Sequence, residues 1–245
     1  SAYLDLVGLT TDREAQYIYS GGVQSGSGVI YQTADHVYIA NLVVECTNSS
    51  GSVSMNDPAA YYPNVSWEDA GTQIGSSANT VVKNCDFIGD ESNDSWSMRI
   101  QSDYAGTYED CTAGKYAFGT TGGDASGTFI NCTAGDFSFG SGSDATGTFI
   151  DCTAGTYSFA GTVASGGEAS GTFTRCTAGE ESFANEGTAS GTFTDCTAGN
   201  RSFGGSGTAS GTFTRCTGED YCFGDDAASG KFYDCTAEYI CFGGY

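Results

Sequence analysis

From Cys111 onward the chain repeats one phrase, G-T-F-x-x-C-T-A-G-x-x-S-F-G, about every twenty residues. The cysteines that mark it are Cys111, Cys132, Cys152, Cys176, Cys196, Cys216 and Cys235, at spacings of 21, 20, 24, 20, 20 and 19. A unit that short cannot bury its own apolar residues and must stack on its neighbours. The repeat therefore dictates an elongated solenoid, and it favours an extended surface over a deep enzymatic pocket.

The polypeptide is rich in Thr, Ser, Tyr and Phe, with 37 Gly and only 2 Pro. Such a composition favours short strands separated by frequent turns. No segment shows helical periodicity, and no apolar run is long enough for a membrane-spanning helix. The expected fold is all-β: a right-handed parallel β-helix, or β-solenoid, with about 20 residues per coil. Its handedness follows the general preference of parallel crossovers. Residues 1–104 read as irregular coils with two loop insertions, and residues 105–245 as the regular repeats.

One coil, residues 191–210, shows how the pattern is used. Phe193 and Cys196 are three apart, so a straight alternating strand cannot point both inward. A bend at Asp195 resolves this: Phe193 points in, Thr194 out, Asp195 turns the corner, and Cys196 and Ala198 point in with Thr197 out. Val82–Phe87 fits the same grammar with Asn84 at the corner. A second aromatic column runs through Phe118, Phe139, Phe159, Phe183, Phe203, Phe223 and Phe242. Glu181 and Arg201, two residues before it, read as exposed, so strict alternation would expose the column too. A bend near the intervening Ser returns it to the core; without that bend, seven exposed Phe would form a stripe that demands a partner.

Eleven cysteines invite a disulfide reading, but one per coil also builds an internal column of small buried side chains. Coils about 4.8 Å apart lie within disulfide reach. The odd count and the recurrence at one position favour a mainly thiol ladder. Cys222 and Cys241 begin a second column at the Ser position and are the candidates for a cross-link. No C-x-x-C pair occurs and His36 is the only histidine, so no metal and no cofactor are expected.

The net charge is −22, from 30 acidic and 8 basic residues. Without a basic patch to displace counterions, nucleic acid is disfavoured and not expected as a partner, and a solvated acidic surface is favoured over a dedicated cation site. One pattern stands out. The corner residue before successive cysteines reads Asp151, Arg175, Asp195, Arg215, Asp234, an alternation of sign. Stacked coils would bring opposite charges together there, against the alternative of unpaired, solvated corners.

Before Cys111 the strings Tyr3–Leu9 (Y-L-D-L-V-G-L), His36–Asn48 (H-V-Y-I-A-N-L-V-V-E-C-T-N) and Asn79–Gly89 (N-T-V-V-K-N-C-D-F-I-G) are separated by polar stretches. They resemble coils of the pectate-lyase-like right-handed parallel β-helix superfamily, which includes pectin methylesterases, polysaccharide lyases and phage tailspikes. The later repeats look like those of phage tail-fibre and virion surface proteins. Pectin methylesterases carry D-F-I-F-G and Q-D-T segments. This chain has Asp86-Phe87-Ile88-Gly89 without the second Phe, and no Q-D-T, so the resemblance extends to the scaffold and not to catalysis.

Two apparent interruptions, at 50–75 and 90–104, hold the candidate glycan-binding residues Tyr61, Tyr62, Trp67, Glu68, Asp69, Trp96 and Arg99. Aromatic faces stack on the C–H faces of sugars while carboxylates bind hydroxyls; the alternative is that these aromatics cover the flank of the coil. The leading expectation is a non-catalytic structural or adhesive segment of an extracellular fibre or phage tail appendage, at an extracellular or virion surface. Neither end shows a polar cap, so further chain or a second subunit is expected to cover the exposed coils. Self-association as a head-to-tail filament, or as the homotrimer the resemblance implies, is expected, without membrane insertion. Two other classes compete. The T-F-T pairs Thr172/Thr174, Thr192/Thr194 and Thr212/Thr214 present a regular array that suits an ice-binding solenoid. A polysaccharide-degrading or esterase β-helix enzyme is the third.

Overall fold

A computed structural model describes residues 81–87, 105–119, 123–161, 166–239 and 242 in full, and elsewhere only the course of the strands. Eleven strands, one from each coil, form a single parallel sheet running from Leu4–Val7 to Lys231–Tyr233. The next stretch of each coil forms a second parallel sheet: Tyr17–Ser20, Leu42–Cys46, Val65–Glu68, Asp86–Ile88 and Thr112–Ala113. Threonine bridges carry it on from Thr112 through Thr133, Thr153 and Thr177, and from Thr197 through Thr217 to Thr236, with Thr177 paired to Thr197 in between. A third set of short strands closes the coil, for example Thr188–Ala189, Thr208–Ala209 and Ala227–Ala228. The protein is thus a parallel β-solenoid, and the described residues contain no helix.

Within residues 50–75, which read as an interruption in the sequence, four strands join the sheets of the solenoid. Tyr61–Pro63 joins the long sheet and Val65–Glu68 the second one, while Ser54–Met55 and Gln73–Ile74 belong to the third face. The segment lacks the G-T-F phrase but keeps the spacing of a coil: Val81 pairs with Tyr61, twenty residues earlier. The second segment, 90–104, lies outside the described residues.

Register is set by like lying on like. Phe129, Phe149, Phe173, Phe193 and Phe213 are successive partners in the long sheet, and all are fully buried. Their rings stack from coil to coil, Phe149 on Phe173 at 4.8 Å and 2° between planes. The second column, Phe118 to Phe223, is also fully buried. It stacks in the same way, Phe159 on Phe183 at 4.8 Å, and meets the first column edge-on, Phe149 to Phe159 at 87°. Perpendicular columns let each ring present its edge to a neighbouring face, the arrangement the ring quadrupole favours.

The turns explain how both columns face inward. The eight corner residues from Asn84 to Asp234 have φ between 50° and 55°. This left-handed conformation is costly for L-residues and least so for Asn and Asp. Six of the eight are Asn or Asp, and only Arg175 and Arg215 need another justification. A second, sharper turn precedes the second Phe column: Glu181 and Phe183, like Arg201 and Phe203, are left-handed, with φ between 50° and 54°.

That turn tips the amide of the intervening serine out of the ladder, and the next serine repairs the loss. The Ser158 N–H donates to Ser182 Oγ (3.2 Å), and the Ser182 N–H donates to Ser202 Oγ (3.2 Å). Each hydroxyl in turn donates to a carbonyl of its own turn, Ser182 to Glu180 and Ser202 to Asn200. All four serines at this position, 138, 158, 182 and 202, are fully buried. Replacing Ser182 by Ala should orphan the buried Ser158 N–H and cost about 1–3 kcal/mol, well above the effect of the exposed Ser210→Ala; denaturant melts of the two variants test this.

Candidate functional site

The interior column that marks the repeat has its own chemistry. Cys132, Cys152, Cys176 and Cys196 are fully buried. Each Sγ lies 3.4–3.5 Å from the carbonyl of the aromatic residue one coil back, Cys176 from that of Phe149. Each is thus an S–H donor to a carbonyl, in addition to a small apolar filler. Burial pushes the Cys111 and Cys132 thiols well above the ordinary thiol range. Neighbouring S–H groups would favour a thiolate at Cys152 and Cys196, but two carbonyl oxygens face each of those sulfurs at 3.4–3.5 Å. A thiolate there would meet acceptors in a dry column, so burial prevails and the thiol is the ground state. Cys235, half-buried at the last described coil, is the accessible member. Cys222 takes the Ser position and is buried, with its Sγ 3.3 Å from the Gly199 carbonyl; Cys241 lies outside the described residues. Alkylation of the native protein without reductant should modify Cys235 first and leave Cys132–Cys216 unmodified until unfolding, as read by peptide mass spectrometry. Disulfides throughout the ladder would refute the thiol column.

The corner residues lie one above another on the outside. Arg175 grips Asp151 with both arms of its guanidinium, at 2.6 and 2.7 Å, and Arg215 grips Asp195 with the same geometry. One step earlier Asn131 Nδ2 donates to Asp110 Oδ1 at 2.7 Å. The column is therefore a series of pairs. Each Arg fork is occupied by the preceding Asp, while Asp195 feels Arg175, and Arg215 feels Asp234, only through the longer-range field. Bidentate pairing is the justification that two left-handed arginines require. Lys83 pairs with Glu109 (2.8 Å), Lys115 with Asp136 (3.5 Å) and Arg201 with Glu181 (3.7 Å). Among the described residues, five of the six basic side chains are thus engaged across coils.

The Arg175 and Arg215 guanidinium groups hold the carboxyls of Asp151 and Asp195 below their ordinary value near 3.8. A lowered native pKa means that the pairs stabilise fully above the unfolded carboxyl range, about pH 4, and lose that contribution as pH falls through the lower native values. Replacing Arg175 and Arg215 together by Asp aligns five carboxylates. The melting temperature should fall at low salt and recover as salt is added, although Asp suits the left-handed corner better than Arg. The neutral Arg175→Asn, Arg215→Asn variant should lose less than the Asp variant. A loss unaffected by salt would reject the charge ladder.

Of the candidate glycan residues, Tyr62 and Trp67 hold the register positions of the fully buried Val82 and Phe87. Tyr61 and Glu68 occupy the alternate positions, beside Val81 and Ile88. The four are strand residues of two adjoining faces. Asp69, Trp96 and Arg99 lie outside the described residues. Asp86 stands partly exposed between the buried Cys85 and Phe87, as its outward reading requires.

Two surface features escaped the sequence analysis. An open groove of about 590 Å³ runs along the second face, lined by Thr197, Thr217, Ala198, Gly199, Glu180 and Glu219 among others. On the outside of the sharper turn, Tyr116, Phe137 and Tyr157 stack at 4.9 and 5.0 Å. Their common position two residues before each Phe was the available signal. Among the described residues no three His, Cys, Asp or Glu side chains are placed to hold a metal ion, and no helix is long and apolar enough to cross a membrane. Comparison with protein-family models, with curated proteins and with solved structures finds no match.

Proposed function

We propose that this solenoid is a non-catalytic structural and adhesive segment of an extracellular fibre, of the kind found in phage tail appendages, working at an extracellular or virion surface. The observation that carries this reading is that the ladders are satisfied by repetition. Phe stacks on Phe, Ser bonds to Ser, and Asp pairs with Arg one coil away. Residues committed to their copies on neighbouring coils build a rod, and among the described residues they leave no converging set for turnover. The likeness of the first hundred residues to pectate-lyase-like coils supports the same reading at the level of scaffold. The aromatic and charged residues Tyr61, Tyr62, Trp67, Glu68, Asp69, Trp96 and Arg99 are the candidates for contact with a surface glycan. Self-association, as a homotrimer or head-to-tail filament, completes the fibre.

Small-angle scattering combined with sedimentation tests this on the purified chain. A rod that trimerises or grows in length with concentration is the expected result, with no release of reducing ends, unsaturated sugars or ester groups from neutral and acidic polysaccharides. Turnover of any of these substrates would replace the structural reading with an enzymatic one.

A further inference from the structure

Among the described residues, the long sheet presents two outward columns of uncharged side chains, where the second face presents a single threonine column bordered by carboxylates. On five consecutive coils its outward residues are Thr128 and Ile130, Thr148 and Ile150, then the pairs Thr172/Thr174, Thr192/Thr194 and Thr212/Thr214. None of the ten is charged, in a chain of 38 charged residues and net charge −22. On one flank lies a column of Ser and Thr at 126, 146, 170, 190 and 210, bordered by Glu168, which accepts the Ser190 hydroxyl. On the other flank lie the corners, where Asp151 with Arg175 and Asp195 with Arg215 cancel locally. Charge has been kept off this face and neutralised at its corner edge.

The rings beneath this face keep one orientation from coil to coil, which argues for little twist between its strands. Successive Phe rings beneath it, from Phe129 to Phe213, are 4.7–5.0 Å apart and inclined by only 2° to 4°. Ordinary neighbouring strands rotate by about 20–25°. The stacked aromatics hold the coils parallel, so the threonines form a rigid two-dimensional lattice, one row per coil.

Geometry then selects the partner. Five coils about 4.8 Å apart and a face about five residues wide give roughly 24 Å by 17 Å, about 400 Å². That is half the ~800 Å² per partner of a stable protein interface, so a second copy gains too little here. The repeated unit asks for a partner that is periodic, flat and uncharged. We infer that this face binds ice: the threonine hydroxyls join the lattice as hydrogen-bond partners, and the threonine and isoleucine methyl groups order the water between them. A charged side chain would impose its own hydration shell and break the match.

Thermal hysteresis and partition into a slowly growing ice front test this on the intact chain. The expected result is shaped ice crystals, a measurable hysteresis gap and enrichment of protein in the ice. Thr172→Lys with Thr212→Lys, two coils apart so that the lysines do not lie over each other, should abolish both effects while the fold keeps its cooperative melting. Thr172→Val with Thr192→Val, which keeps the strand-forming shape, should weaken them. Thr177→Lys with Thr197→Lys, on the adjoining face, should leave them intact. Ice that grows as in buffer and excludes the wild-type chain would overturn the inference. So would hysteresis that survives the long-sheet lysines, or adsorption to crystalline cellulose in place of ice.

Discussion

Everything in this molecule follows from parallel stacking in register, which makes each residue the neighbour of its own copy. At a spacing near 4.8 Å, contacts between like residues decide which residue types a column accepts. Aromatic rings accept the arrangement readily, stacking along one column and meeting the other at right angles. Glycine is demanded wherever two backbones close: a Cβ on Gly171, Gly191 or Gly211 would strike the carbonyl of the equivalent glycine one coil back. Charged residues are the hard case, because like over like repels, and the alternation of Asp and Arg at the corner answers it.

Polar groups in the interior obey the same logic. The left-handed residues that bring Phe183 and Phe203 inward also tip the serine amide out of the ladder, so a buried donor needs a partner. The serine of the next coil supplies it. Cysteine does similar work at the other inward turn, with an S–H directed at the carbonyl of an aromatic one coil away. Serine and cysteine are therefore fixed by hydrogen bonding as well as by size, which explains why neither position is filled by the apolar residues a dry interior would otherwise accept.

How much of this was legible in the sequence depended on which residue carried the signal. Phe193 and Cys196, three apart, forced a corner between them, and the Asn and Asp residues found there are those that tolerate the left-handed backbone. The direction of the second Phe column was harder to read, because the residue two places earlier is Tyr, Phe, Glu or Arg and the bend lies in backbone angles with no single sequence marker. The serine acceptor was invisible for a related reason: serine in a glycine-rich stretch reads as a loop. Residues 50–75 read as an interruption because Tyr61–Pro63 and Val65–Glu68 carry neither G-T-F nor Cys, although they pair in step with Val81–Lys83 and Asp86–Ile88. Pairing register preserves a coil even where its signature residues are gone.

Flatness and neutrality share one origin. A sheet of strands ordinarily twists, and twist would carry each outward threonine steadily out of line with the last. Two perpendicular columns of stacked rings resist that rotation, since turning one coil against the next would slide rings whose centroids lie 4.7–5.0 Å apart out of register. Untwisted coils in turn bring every corner charge directly over its neighbour, which makes unlike charges, or none, the stable choice on that edge. The aromatic core, the paired corners and the uncharged threonine face are in this sense a single constraint expressed at three depths, from the axis of the solenoid to its surface.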